Sequence, residues 1–158
     1  MGITYSDIQQ QRHLLQNKYD LRRSELQQHG FKLINEYRAS LELDRNTWID
    51  TSGAEHAYVR SGEIDDAGKF KAKPLAAFDL DRDYKLKFKI STAVDDVSGS
   101  YYLVTAALWK EEGRLYVEVG AGGKVIIVAT PSEDGAFYEV SSAIKQIIIS
   151  SFADPRLD

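Results

Sequence analysis

The order of apolar and polar positions divides the chain into three parts. Over residues 6–43 apolar side chains recur at helical spacing. Ile8, Leu15, Tyr19, Leu26, Leu33 and Tyr37 form one stripe, and Leu14 and Leu21 begin a second. Ser6 and Gln9 make an S-x-x-Q capping box at its start. Unbroken, the segment would span about 57 Å at the helical rise, longer than a compact domain of this size. Gly30 is the expected break, because glycine is poor in a helix interior and good as a C-terminal cap. The pattern therefore predicts two helices, 6–29 and 31–43. The alternative is one long helix whose outer half pairs with another chain. Arg12, Arg22 and His29 interrupt the heptad seam and argue against a clean coiled coil.

From Arg45 the period shortens. "NTWIDTS" and "EHAYVRSGEI" read as short strands, and "DDAG" at 65–68 as a turn. "KFKAKPLAAFDL" holds one strand interrupted by Pro74, which places it at an edge or bulge. In "YKLKFKIST" at 84–92, Leu86, Phe88 and Ile90 alternate with Lys85, Lys87 and Lys89, so one face is wet. "SYYLVTAALWK" at 100–110 and "GRLYVEV" at 113–119 follow, joined by "KEEG". "KVIIVAT" at 124–130 is almost continuously apolar and predicts a central strand covered on both faces. The short spacings favour antiparallel hairpins.

After the loop "TPSEDG" the helical period returns. Phe137, Val140, Ile144, Ile147 or Ile148, and Phe152 fall on one face of a helix over 137–152, closed by Pro155. The predicted fold is α+β in a single domain, 1–158. N-terminal helices precede an antiparallel sheet of about six or seven strands over 45–130, and a C-terminal helix packs on that sheet.

Composition narrows the function. The chain has no Cys, which excludes disulfides, zinc–thiolate sites and a cysteine nucleophile, and suits a reducing compartment. The formal net charge of −4 argues against general nucleic-acid affinity and suits a basic protein partner. No basic stretch followed by an apolar run opens the chain, and no apolar stretch nears the roughly 20 residues of a membrane helix. The expected location is cytoplasmic. The start matches M-G-x-x-x-[ST] through Gly2 and Ser6, the N-myristoylation pattern, with no polybasic second anchor.

Each chemical motif meets a plainer reading. "GAGGK" at 120–124 is rich enough in glycine to cradle phosphate, yet it leads into a strand and lacks the G-x-x-x-x-G-K spacing. A hairpin turn needs the same glycines. "DLDRD" places Asp79, Asp81 and Asp83 at alternate positions, as calcium loops begin, but Tyr84 and Ile90 stand where such a loop needs Gly and a carboxylate. His13, His29 and His56 show no metal-ligand spacing; His56 with a distant Asp has the makings of acid–base machinery. Ser98-Gly99-Ser100 lacks the flanking glycines of a nucleophile elbow. The lysines 69, 71, 73, 85, 87 and 89 form a local basic surface with no aromatic residue alternating on the lysine face, since Phe88 points away.

Tyr101 and Tyr102 are adjacent on a strand, so only one of them can face the core. The other is a candidate interface anchor. The sequence therefore points to a small acidic non-catalytic protein-binding module. Its sharpest form is an immunity or inhibitor protein that neutralises a partner such as a toxin. Candidate partner-binding residues are Asp79, Asp81, Asp83, Asp95, Asp96, Tyr101 and Tyr102. The carboxylates would steer a basic partner. No catalytic residue, cofactor or metal is assigned. The alternatives are a chaperone or assembly component that dimerises through its N-terminal helices, and a small-molecule binder or enzyme with a cavity between sheet and C-terminal helix.

Overall fold

The computed structural model describes residues 2–158. Met1, the first position of the myristoylation pattern, lies outside the described residues. The elements run α1 (Tyr5–Ser40), β1 (Thr47–Ile49), β2 (Glu55–Ala57), β3 (Val59–Ile64), β4 (Phe70–Ala72), β5 (Leu86–Asp95), β6 (Ser100–Glu111), β7 (Arg114–Val119), β8 (Lys124–Val128) and α2 (Tyr138–Ser151). A six-stranded antiparallel sheet has the order β4-β3-β5-β6-β7-β8, and β1-β2 form a separate hairpin. The fold is α+β, with both helices packed on one face of the larger sheet.

One continuous helix stands where two were expected. Its capping box is Thr4 with Asp7, two residues before the predicted one: Asp7 N donates to Thr4 Oγ1 and Thr4 N donates to Asp7 Oδ2. Gly30 lies mid-helix and buried, within reach of Leu75, Leu86 and Phe88; a Cβ there would meet Leu75 Cδ1 at 3.1 Å. The glycine lets the helix approach the sheet closely. Burial of Leu26, Leu33 and Tyr37 on either side of it offsets the roughly 1 kcal/mol that glycine costs a helix.

The core lies between the helices and the sheet face carrying Leu86, Phe88, Ile90, Val104, Leu108, Leu115, Val117, Val119, Ile126 and Val128. On α2, Phe137, Val140 and Ile144 are fully buried, whereas Phe152 is 64% exposed. One hydroxyl pair ties α1 to β5: Tyr37 Oη and Thr92 Oγ1 lie 2.7 Å apart, both buried.

β8 departs from its prediction. It is an edge strand, not a central one. Ile126 and Val128 face the helices, but Val125 and Ile127 point to the other side and remain 47% and 49% exposed. The meander ends there and the chain leaves for α2, so among the described residues no further strand lies beyond β8, and Val125 and Ile127 stay uncovered. The strand before Pro74 lies at the sheet edge as expected, but β4 is only Phe70–Ala72, and a 3₁₀ turn follows at Leu75–Ala77. Among the described residues no helix is long and apolar enough to cross a membrane.

Candidate functional site

The predicted acidic residues occupy turns. Asp81 Oδ1 accepts the backbone N–H of Asp83 and Lys85, and its other oxygen pairs with Lys87 at 3.2 Å. Asp95 accepts Val97 N and the Ser98 hydroxyl; that hydroxyl bond foremost holds its carboxyl below the ordinary range. Asp50 and Asp65 close their turns in the same way. Asp79 pairs with Arg23 at 2.9 Å, and Asp96 accepts the Tyr58 hydroxyl at 2.7 Å. Asp83 is exposed. The groups 79–83 and 95–96 flank the two ends of β5, roughly 30 Å apart at about 3.3 Å per residue, so they form two separate patches.

Tyr101 and Tyr102 do point to opposite faces. Tyr102 lies on the helix side, edge-on to Phe152. Tyr101 lies on the open side, where its hydroxyl donates to Ala57 O and accepts from Trp48 Nε1. The β1–β2 hairpin thus covers the Tyr101 end of the open face and leaves the rest uncovered.

That remaining face gathers residues from four strands, β5 to β8. In cross-strand register Trp109 opposes Tyr116, and Tyr116 opposes Ile127. The Trp109 and Tyr116 rings stack at 5.6 Å with 7° between their planes. Glu118 opposes Val125, which extends the row's apolar surface beside Ile127. Lys85 Nζ sits 4.3 Å from the centre of the Trp109 ring. Lys89 donates to Thr105 Oγ1, and Lys87 projects between them on the same side. The lysine stripe therefore does lie among aromatic residues, contributed by β6 and β7 and not by its own strand. One signal for this was present: the two-residue turn Glu112–Gly113, with φ of 51° and 76°, sets Trp109 against Tyr116 by counting outward.

Of the concave features elsewhere, two adjoin residues singled out in the sequence. A polar cleft of about 340 Å³ sits between the Asp50 turn and the Val97–Gly99 turn. In it His56 Nε2 donates to Asp50 Oδ2 at 2.8 Å and the imidazole stacks on Trp48 at 4.7 Å. The Ser52 hydroxyl foremost, then His56 and the Ala54 N–H, hold the Asp50 carboxyl far below its ordinary value. This orients the imidazole with Nδ1 free. The serine hydroxyls beside it are engaged, Ser52 with Asp50 and Ser98 with Asp95. A longer groove of about 870 Å³ runs between α2 and the β7–β8 turn, floored by Tyr102, Val119, Ala143 and Ile147. Lys124 and Glu139 close one end at 3.6 Å.

"GAGGK" is that β7–β8 turn. Gly120 and Gly122 have φ of 82° and 67°, and a Cβ on Gly123 would fall 2.2 Å from Val119 O. The glycines serve the backbone of the hairpin. Among the described residues no group of His, Asp and Glu is placed to hold a metal ion. In comparisons with protein-family models, curated proteins and solved structures, the chain matches none.

Proposed function

We propose that this chain is a non-catalytic protein-binding module whose partner docks on the open face of the six-stranded sheet. The observation behind this is the row Trp109–Tyr116–Ile127, extended by Val125, on the part of the open face that the β1–β2 hairpin leaves uncovered; Val125 and Ile127 are exposed, and Trp109 and Tyr116 are half-buried. An antiparallel sheet that faces water normally carries polar residues there. Contiguous exposed apolar surface marks an interaction site. Trp and Tyr are the residues that most often anchor interfaces, and Lys85, Lys87, Arg114 and Glu118 supply a charged rim. The unguarded edge of β8 adjoins the row, so a partner can also extend the sheet. Masking a larger protein, as an immunity-type inhibitor does in the cytosol, requires no more than such a face.

The test is a paired capture from cells that express the chain. Wild type, Ile127→Lys and Tyr116→Ala, matched for thermal stability, serve as baits. A central anchor contributes about 2 kcal/mol, so its loss weakens binding roughly 30-fold. A stoichiometric protein recovered by wild type and lost with both Ile127→Lys and Tyr116→Ala is the expected result. A protein recovered equally by all three, or none with wild type, overturns the reading.

A second reading has its own support. Helical residues 5–18 are all exposed, although Ile8 and Leu15 continue the stripe that buries Leu26, Leu33 and Tyr37 further along. An isolated helix of that length is marginal in water. Pairing of two such arms would make the chain a dimeric chaperone or assembly component.

A further inference from the structure

Arg60 is the second residue of β3 and points to the open face, opposite Ser91 of β5. Its guanidinium lies 4.3 Å from the centre of the Tyr101 ring and 4.9 Å from that of Phe70. Two aromatic rings from two other strands thus hold it in place. Among the described residues it forms no ion pair and donates no hydrogen bond, and its Nε is buried without a partner. The Ser91 hydroxyl directly across from it is also buried and unpartnered. A guanidinium carries five N–H donors in a planar fork that matches a carboxylate. Polar groups left unpaired inside a protein are costly exceptions. Both atoms are sealed from solvent, whereas the terminal Nη amines of the same guanidinium are not buried and have no hydrogen-bond partner among the described residues, so they are the donors a ligand on this face can reach.

The surrounding charge selects the ligand. Lys85, Lys87 and Lys89 share this face with Arg60, and Lys89 is the cross-strand neighbour of Gly62, two residues beyond Arg60. Arg114 is a further cation there, against Glu111 and Glu118 and the Asp81 carboxylate that pairs with Lys87 at 3.2 Å. The face is therefore basic although the chain is acidic. Arg60 lies roughly 10 Å across the strands from Trp109 and roughly 19 Å from Ile127, and about 20 Å from the row along them. One interface of standard size spans both.

We propose that Arg60 receives a carboxylate from an acidic, aromatic-bearing segment of the protein partner, with Lys89 facing a further acidic residue between it and the apolar row. This rests on the reading of the open face as the binding face. Because the rings pre-set the guanidinium, little side-chain freedom is lost on docking.

The experiment titrates the full chain with a synthetic peptide of alternating Glu and Phe, its Lys/Phe counterpart, and inorganic phosphate. Chemical shifts of the Arg60 Nε–H and Trp109 indole N–H are the readout. The Glu/Phe peptide is expected to move both signals and the Lys/Phe peptide neither. Arg60→Met keeps the packing between the rings, so thermal stability should hold while affinity falls at least about tenfold. Arg60→Lys keeps the charge but loses the fork, and should also weaken binding. Equal binding of the Lys/Phe peptide, or no shift at millimolar Glu/Phe peptide, overturns the proposal. So does phosphate that displaces the peptide and saturates at lower concentration. If Ile127→Lys abolishes binding while Arg60→Met leaves it unchanged, the Arg60 assignment fails and the open-face reading stands; if neither variant matters, both fail.

Discussion

Replacing Tyr37 with Phe removes a single hydroxyl from the contact between α1 and β5. Tyr37 is wholly buried, and Thr92 is 6% exposed, with their hydroxyl oxygens 2.7 Å apart. Burial raises the tyrosine pKa, so the phenol is neutral and bonds as an ordinary hydroxyl. Losing the bond and leaving Thr92 Oγ1 buried without a partner should cost about 1–3 kcal/mol. For a chain of this length about 1.5 kcal/mol lowers Tm by roughly 3–6 °C. Thr92→Val strands the tyrosine hydroxyl and should cost a similar amount. The double variant removes both polar groups and leaves neither unsatisfied. It should therefore be less destabilised than the sum of the singles by about 1 kcal/mol or more. Urea unfolding of the four proteins, with matched slopes, measures this coupling. Single-variant costs that add to within about 0.5 kcal/mol would refute the reasoning, since the hydroxyls would then not act as a pair.

Two further outcomes follow from the packing of α1. Burial pushes the His29 imidazole below its ordinary 6.5; Glu25 opposes this, and Lys110 and Lys32 reinforce it. The unfolded chain takes the proton more readily, so stability from neutral His29 is present above pH 6.5 and is lost as pH falls through the lower folded value. The urea midpoint should drop between pH 7 and 5, and His29→Gln should flatten that drop; identical slopes for both proteins would exclude His29 as the source. Deleting residues 2–17 removes only exposed side chains. If the arms pair, light scattering should report a dimer for the full chain and a monomer for the truncated one, with unchanged monomer unfolding; a full chain that is monomeric at every concentration rules the arm pairing out.

Local periodicity was sufficient for much of this protein. A strand's side chains alternate whatever it pairs with, so Leu86, Phe88 and Ile90 against Lys85, Lys87 and Lys89, and Tyr101 against Tyr102, were legible as opposed faces. Turn chemistry is local too: Gly120 and Gly122 take positive φ, and the D-x-x-G spacing of 50–53 and 65–68 closes two hairpins through the first Asp. The same turns account for carboxylates that composition alone suggested were free for a partner. Other properties depend on which segments become neighbours. Gly30 ends a helix in isolation but, under Leu75, Leu86 and Phe88, is the residue that lets the helix settle on the sheet. "KVIIV" has the composition of a central strand, and only the sheet order puts it at an edge with Val125 and Ile127 uncovered. Arg60, Phe70 and Tyr101 come from β3, β4 and β6, and no spacing in the chain announces their meeting. Periodicity reports which way a side chain points; strand order and layer placement decide what it meets, because they are set by burial summed over the whole chain.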